Sequence, residues 1–402
     1  MVFAVGAELR TWTSSDGRTL QAKLVSHDSH EVVLELVTGL TAKVPLFSLS
    51  AADQAFVKES ASSASVPPEK RTWPANVEVD PHATDMKMVT DDAANHRYVY
   101  QSQSFQFVSP DKLAMSVMKD VARTFEATRA LVQALPWGVD PKPPANLGYF
   151  QAKFYIDHKA YVADGAPPNS GGVYFNKDRI FRVPFESLGL EERGKTWFKK
   201  TGFKEETLVH EVTHQMMDGF LPFLPLWVIE GTAEYTRSLP YNAGKFRAGA
   251  FSEGLKEYIK EHARGAVAGQ VARSFGDQMA MKREEWTQLA MVRKSQHSLY
   301  FQSYLLVYYF CHLDGDGKGT RFIRYFDEIE KAHKDWQDFM KNPLVKLNSD
   351  GGFTYPANLP LPTEERDESF GLKKLDVLLD GRSISQIDRD VKEGYKKIGI
   401  KL

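Results

Sequence analysis

The chain has 402 residues, a formal net charge of −1, 42% hydrophobic and 12% aromatic residues. The length exceeds one typical domain, so two or three domains with packed cores are expected. The balanced charge points to neither nucleic acid nor an anionic membrane as partner, and no transmembrane segment is visible. The single cysteine, Cys311, excludes an internal disulfide and a cysteine-rich metal site, and its apolar surroundings make it a packing residue.

The opening MVFAVGA reads either as the tail of a signal peptide, giving an exported (periplasmic or extracellular) protein, or as an ordinary cytoplasmic N-terminus. Residues 1–60 are expected to form a small β domain. Short segments at 8–12, 19–26, 31–38 and 41–46 are rich in Val, Leu and Thr, and Asp16-Gly17 and Gly39 mark turns between them. Ser50 and Asp53 begin a short helix in the manner of a capping box, and Trp12 is expected in the core of this domain. Residues 61–95 read as a linker: first rich in Ser, Ala and Pro, then polar and irregular from 76.

The remainder, 96–402, is expected to be one α+β domain, with strands first and helices after them. A strand is expected at 98–108, a helix at 111–135, a strand at 147–156 and a hairpin at 171–183. Further helices are expected at 251–262, 283–291, 299–313, 320–332 and 384–397, with an irregular insertion near 342–368. The run Asp314-Gly-Asp-Gly-Lys-Gly319 has Lys318 where a calcium loop needs an oxygen donor, so it reads as an inter-helix turn.

The chemistry concentrates at 207–235, TLVHEVTHQMMDGFLPFLPLWVIEGTAEY. His210 and His214 lie one helical turn apart on the same face, so both imidazoles can reach one zinc ion. Glu211 projects beside the metal, where it suits a general base. Gly219 is placed as a C-cap, Pro222 and Pro225 end the helix, and a second helix from about 226 carries Glu230 and Glu234 on one face. Glu230 can supply the third protein ligand of a catalytic zinc. Glu234, one turn further, can accept the second N–H of His210, as carboxylates commonly do around zinc histidines.

HEVTH followed by WVIEGTAEY resembles the gluzincin metallopeptidases, which include thermolysin-like and aminopeptidase-N-like enzymes, and is most similar to the peptidase MA-like branch. The resemblance covers roughly 98–339. It implies a thermolysin-like domain with His210, His214 and Glu230 as zinc ligands and Glu211 as catalytic base. It also implies a sheet edge, near 171–175 or 180–183, that pairs with substrate backbone. Tyr300, at the head of YFQSYLLVYYF, resembles the oxyanion-binding tyrosine that precedes a helix in aminopeptidase-N-like enzymes; Tyr304, Tyr308 and Tyr309 lie close by. A Gly-x-Met-Glu-Asn segment is missing, which favours an endopeptidase over an aminopeptidase. RTWTSSDGRTLQAKLV and VPLFSLSAADQAFV resemble the Sla-type homology domain, an SH3-like barrel, which implies an interaction module with a protein or peptidoglycan-side ligand.

The expected function is therefore zinc-dependent hydrolysis of peptide or protein substrates. The alternatives are a surface binding protein that keeps the scaffold and a zinc hydrolase of a non-peptide bond.

Overall fold

In a computed structural model, residues 3–4, 9–27, 31–54, 56–57, 66–144, 147–263, 267–347 and 353–402 are described. Most of MVFAVGA, the Ser/Ala-rich start of the linker (61–65) and part of the 342–368 insertion lie outside them. The chain divides into two compact units, Met1–Arg71 and Thr72–Leu402.

In the smaller unit, alternating side chains build a five-stranded antiparallel sheet. Its strands are β1 (Phe3–Ala4), β2 (Leu9–Thr13), β3 (Thr19–His27), β4 (Glu31–Leu36) and β5 (Thr41–Pro45). Trp12, Ala22, Leu24, Val32, Leu34 and Leu49 form its core, and the Trp12 indole N–H donates to the Ala22 carbonyl at 3.1 Å. The buried Asp53 carboxylate accepts from Arg10, from the Thr13 backbone and from Ser50, binding the short helix to the sheet.

The expected SH3-like barrel is not formed. β1 and β2 both pair with β3, β4 pairs with β3, and β5 pairs with β4 alone among the described residues. The chain leaves β5 through Pro45, which has no N–H for a ladder, and turns through the 3-10 segment Leu46–Ser48. Its return meets the end of β2 through the isolated Ser14–Leu49 bridge. A lone bridge cannot replace a ladder, so the sheet is open.

The larger unit is mixed α+β. After the short β6 (Val77–Glu78) come β7 (Lys87–Asp92), β8 (Arg97–Gln101) and β9 (Phe105–Ser109). Thus residues within 76–95, read as irregular, hold strands. The strand expected at 98–108 is a hairpin. It breaks at Ser102–Ser104 because the buried Glu126 carboxylate accepts from Ser102 Oγ and the Ser104 N–H, at 2.8 and 2.7 Å. Glu126 belongs to α1 (Met115–Ala134), whose apolar face packs on the sheet; Phe125 contacts Phe105 and Phe107 edge-on.

β10 (Phe150–Tyr155), α2 (His158–Ala163), β11 (Val173–Phe175) and β12 (Ile180–Pro184) follow. The sheet order is β11-β12-β10-β9-β8-β7, with β10 parallel to both neighbours and the other pairs antiparallel. β11 is therefore an edge. The hairpin β13 (Leu190–Arg193) and β14 (Thr196–Lys199) leads to α3 (Glu206–Met216) and α4 (Leu226–Ser238).

Beyond the small strands β15 (Tyr241–Asn242) and β16 (Lys245–Phe246) the chain is mainly helical. It contains α5 (Phe251–His262), α6 (Phe275–Ala280), α7 (Arg283–Ala290), α8 (Arg293–His312) and α9 (Thr320–Lys341). It closes with β17 (Lys346–Leu347), β18 (Phe353–Thr354), α10 (Glu368–Lys373), α11 (Leu375–Leu379) and α12 (Ile384–Lys397). The Asp314–Gly319 run joins α8 to α9, and the Asp314 carboxylate accepts from Arg321 and Arg382 at 3.0 and 2.8 Å. Cys311 is buried in the core.

Candidate metal centre

α3 carries HEVTH because Leu208, Val209, Val212 and Met216 recur at helical spacing and bury one stripe. Its N-terminus is held by Glu205, paired with Lys199 at 2.8 Å. Near its end the Gln215 amide donates to the Gln151 carbonyl of β10 at 2.9 Å, which ties the helix to the sheet. The helix ends at Met217 with φ −96° and ψ 10°, and Gly219 is not at positive φ, so it is not a left-handed cap. Its value is space: a Cβ there would lie 2.4 Å from the His333 ring.

α4 starts after Pro225 and runs back alongside α3. Thr213 and Thr236 hydroxyls meet at 2.7 Å across the pair. On the other side of α4, Gly231 lets α8 approach so closely that a Cβ would lie 2.5 Å from the Ser303 carbonyl oxygen.

This packing brings His210, His214 and Glu230 into one cluster able to hold a metal ion. The two imidazole Nε2 atoms are 3.1 Å apart, and Glu230 Oε2 lies 3.3 Å from His210 and 3.5 Å from His214. A tetrahedral ion with bonds of about 2.0–2.1 Å spaces its ligand atoms by about 3.3–3.4 Å. Glu230 Oε2 is buried without a hydrogen-bond donor, a costly state that a bound cation would relieve. The residues present therefore fit a divalent ion.

The electrostatics agree. Burial opposes charge on Glu230, but the two imidazoles outweigh it and hold the carboxyl well below its usual range. Burial likewise disfavours a charged His210, yet Glu230 and Glu234 raise its imidazole, so metal would displace a proton there. Glu211 goes the other way: burial lifts its carboxyl despite the neighbouring histidines. Its Cγ lies 3.3 Å from where a Cβ on Gly172 would be, at the foot of edge strand β11.

Glu234 Oε1 lies 3.1 Å from His210 Nδ1, and Oε2 accepts from the Tyr258 hydroxyl at 2.7 Å. Burial would raise this carboxyl; Arg237, His210 and Tyr258 together hold it down at about 2. Arg237 stands one turn on, visible in hindsight from its helical spacing to Glu234. Tyr258 comes from α5, and nothing in the local sequence marks it.

Tyr300 does not precede a helix. It lies in the second turn of α8, with its ring stacked against His210 at 6.2 Å between centroids and 19° between planes. The Glu230 charge, then burial, push its phenol well above the ordinary range. Tyr304 packs instead on Tyr258, with ring centroids 3.9 Å apart.

No family model matches the chain, and no curated protein matches it. The gluzincin, peptidase MA-like and Sla-type resemblances are corrected accordingly. Short motifs dictate the geometry of a helix pair, not the ancestry or fold around it, and the small sheet is open where the Sla-type domain needs a barrel. What stands is the His/His/Glu cluster itself. Among the described residues, no helix is long and apolar enough to cross a membrane.

Proposed function

We propose that the larger unit is a zinc-dependent hydrolase of peptide bonds. The observation that carries this reading is the convergence of His210, His214 and Glu230 at zinc-ligand spacing, with Glu211 beside them. Zinc at such a site supplies Lewis acidity and lowers the pKa of water. Glu211 takes the proton from the attacking water and delivers it to the leaving amine; a carboxyl raised by burial is suited to both transfers. Tyr300 donates a hydrogen bond to the developing oxyanion.

The edge position of β11, which pairs with β12 alone among the described residues, favours a peptide over other substrates. An extended chain can add to it as a further strand, which would run its backbone past Gly172 and Glu211. The test is a diverse peptide library presented to zinc-loaded wild type, chelator-treated wild type and a zinc-loaded Glu211→Gln variant. Cleavage is expected from the first alone, with the variant down by about 10²–10⁴-fold. Equal cleavage by wild type and variant, or none by any, would remove the reading.

A further inference from the structure

Glu234 Oε1 lies 3.1 Å from His210 Nδ1, and its side chain is only 3% exposed. A glutamate has three rotatable bonds, so a carboxylate that fixes an imidazole must itself be held. Oxygen Oε2 takes the Tyr258 hydroxyl at 2.7 Å. Oxygen Oε1, the one facing His210, accepts from Arg237 Nη1 at 3.2 Å. The other end of the guanidinium reaches toward Glu206 in the first turn of α3, at 3.8 Å.

Behind this pair is a cavity of about 600 Å³ whose lining includes Glu205, Glu206, Arg237, Tyr258 and His262 but none of His210, His214 or Glu230. The Arg237 side chain is 20% exposed there, against 3% for Glu234. The guanidinium is thus a wall between the cavity and the Glu234–His210 contact. With it gone, water could compete for Oε1 and the carboxylate could turn away.

From this geometry we propose that Arg237 is a positioning residue of the metal centre: with Tyr258 it holds the Glu234 carboxylate, and through Glu234 it orients the His210 imidazole toward Glu230. The inference rests on the metal-binding reading of the cluster. It goes further by naming the residue that keeps the cluster ordered from outside. A role in helix packing alone would change thermal stability while leaving the metal affinity of the folded protein intact.

The test is a double-mutant cycle read as zinc affinity, by competition with a chromophoric chelator. Arg237→Met keeps the stem and removes the guanidinium; Glu234→Gln removes the charge through which Arg237 acts. Each is expected to weaken zinc binding by about 10–100-fold, and the double variant is expected to be no weaker than Glu234→Gln alone. Zinc affinity of Arg237→Met within twofold of wild type, or full additivity in the double variant, would overturn the proposal. Should Arg237→Met fail to fold, Arg237→Gln takes its place, with the same two outcomes deciding. A wild-type protein that binds no zinc would sink the proposed function, and the crystal structure of metal-free Arg237→Met would then decide this inference separately. Glu234 turned away from His210 supports it; Glu234 unmoved refutes it.

Discussion

Nδ1 of His210 lies 3.1 Å from Oε1 of Glu234, while Nε2 of the same ring faces Glu230 at 3.3 Å. Both ring nitrogens of His210 thus face carboxylates one turn apart on α4, which supplies charge for a cation on one side of the ring and an acceptor for its second nitrogen on the other.

Metal content should depend on His214. The wild-type protein is expected to hold one zinc per chain. His214→Ala keeps only two of the three ligands and should lose most of it. Metal analysis after dialysis against a weak chelator checks this; undiminished zinc in the variant contradicts the ligand assignment.

Tyr300→Phe keeps the ring stacked on His210 and removes only the hydroxyl. Loss of one oxyanion donor is expected to lower kcat by about 10²–10³-fold, with KM little changed. Steady-state kinetics on a peptide cleaved by the wild type decide it. A kcat within a factor of two of wild type would leave Tyr300 as a packing residue.

Gly231→Ala should loosen the junction of α4 with α8. The new Cβ would lie 2.5 Å from the Ser303 carbonyl oxygen and 2.6 Å from Val307 Cγ2. Backbone cannot swing aside as a side-chain tip can, so the helices must part. A cost of about 1–3 kcal/mol is expected, with weaker zinc binding because Glu230 is the preceding residue. Thermal unfolding and chelator competition measure the two effects; an unchanged Tm would mean that the helices yield freely.

Acid should destabilise the larger unit through two half-buried histidines. Burial lowers His312 to about 3 and His333 to about 4, from an ordinary 6.5. As pH falls below 6.5 the unfolded chain takes up these protons while the native state does not, so stability drops until the folded-state values are reached. Each histidine adds a slope of about 1.4 kcal/mol per pH unit at most. His312→Asn should cost stability at pH 7, since His312 meets the Tyr235 hydroxyl at 2.8 Å and stacks on Phe251 at 3.7 Å. It should also flatten the slope between roughly pH 5 and 6. Urea denaturation across that range tests it; an unaltered slope would show that His312 does not remain neutral.

The sequence alone determined whatever depends on neighbours within a turn or two. Helical periodicity put His210 and His214 on one face of α3, and Glu230 and Glu234 on one face of α4. Alternation and turn residues marked the β11–β12 hairpin. Only tertiary structure could decide the rest, because it turns on partners far apart in the chain. The approach of α4 to α3 carries Glu230 to 3.3 Å from His210. Glu126 on α1 breaks the strand expected at 98–108 by accepting from Ser102 and Ser104. Tyr258 and Tyr300 reach the cluster from α5 and α8, though the sequence named only Tyr300 and misplaced its helix start. Closure of the small sheet needed a ladder between its outer strands; local strand preference builds each strand but does not pair the first with the last.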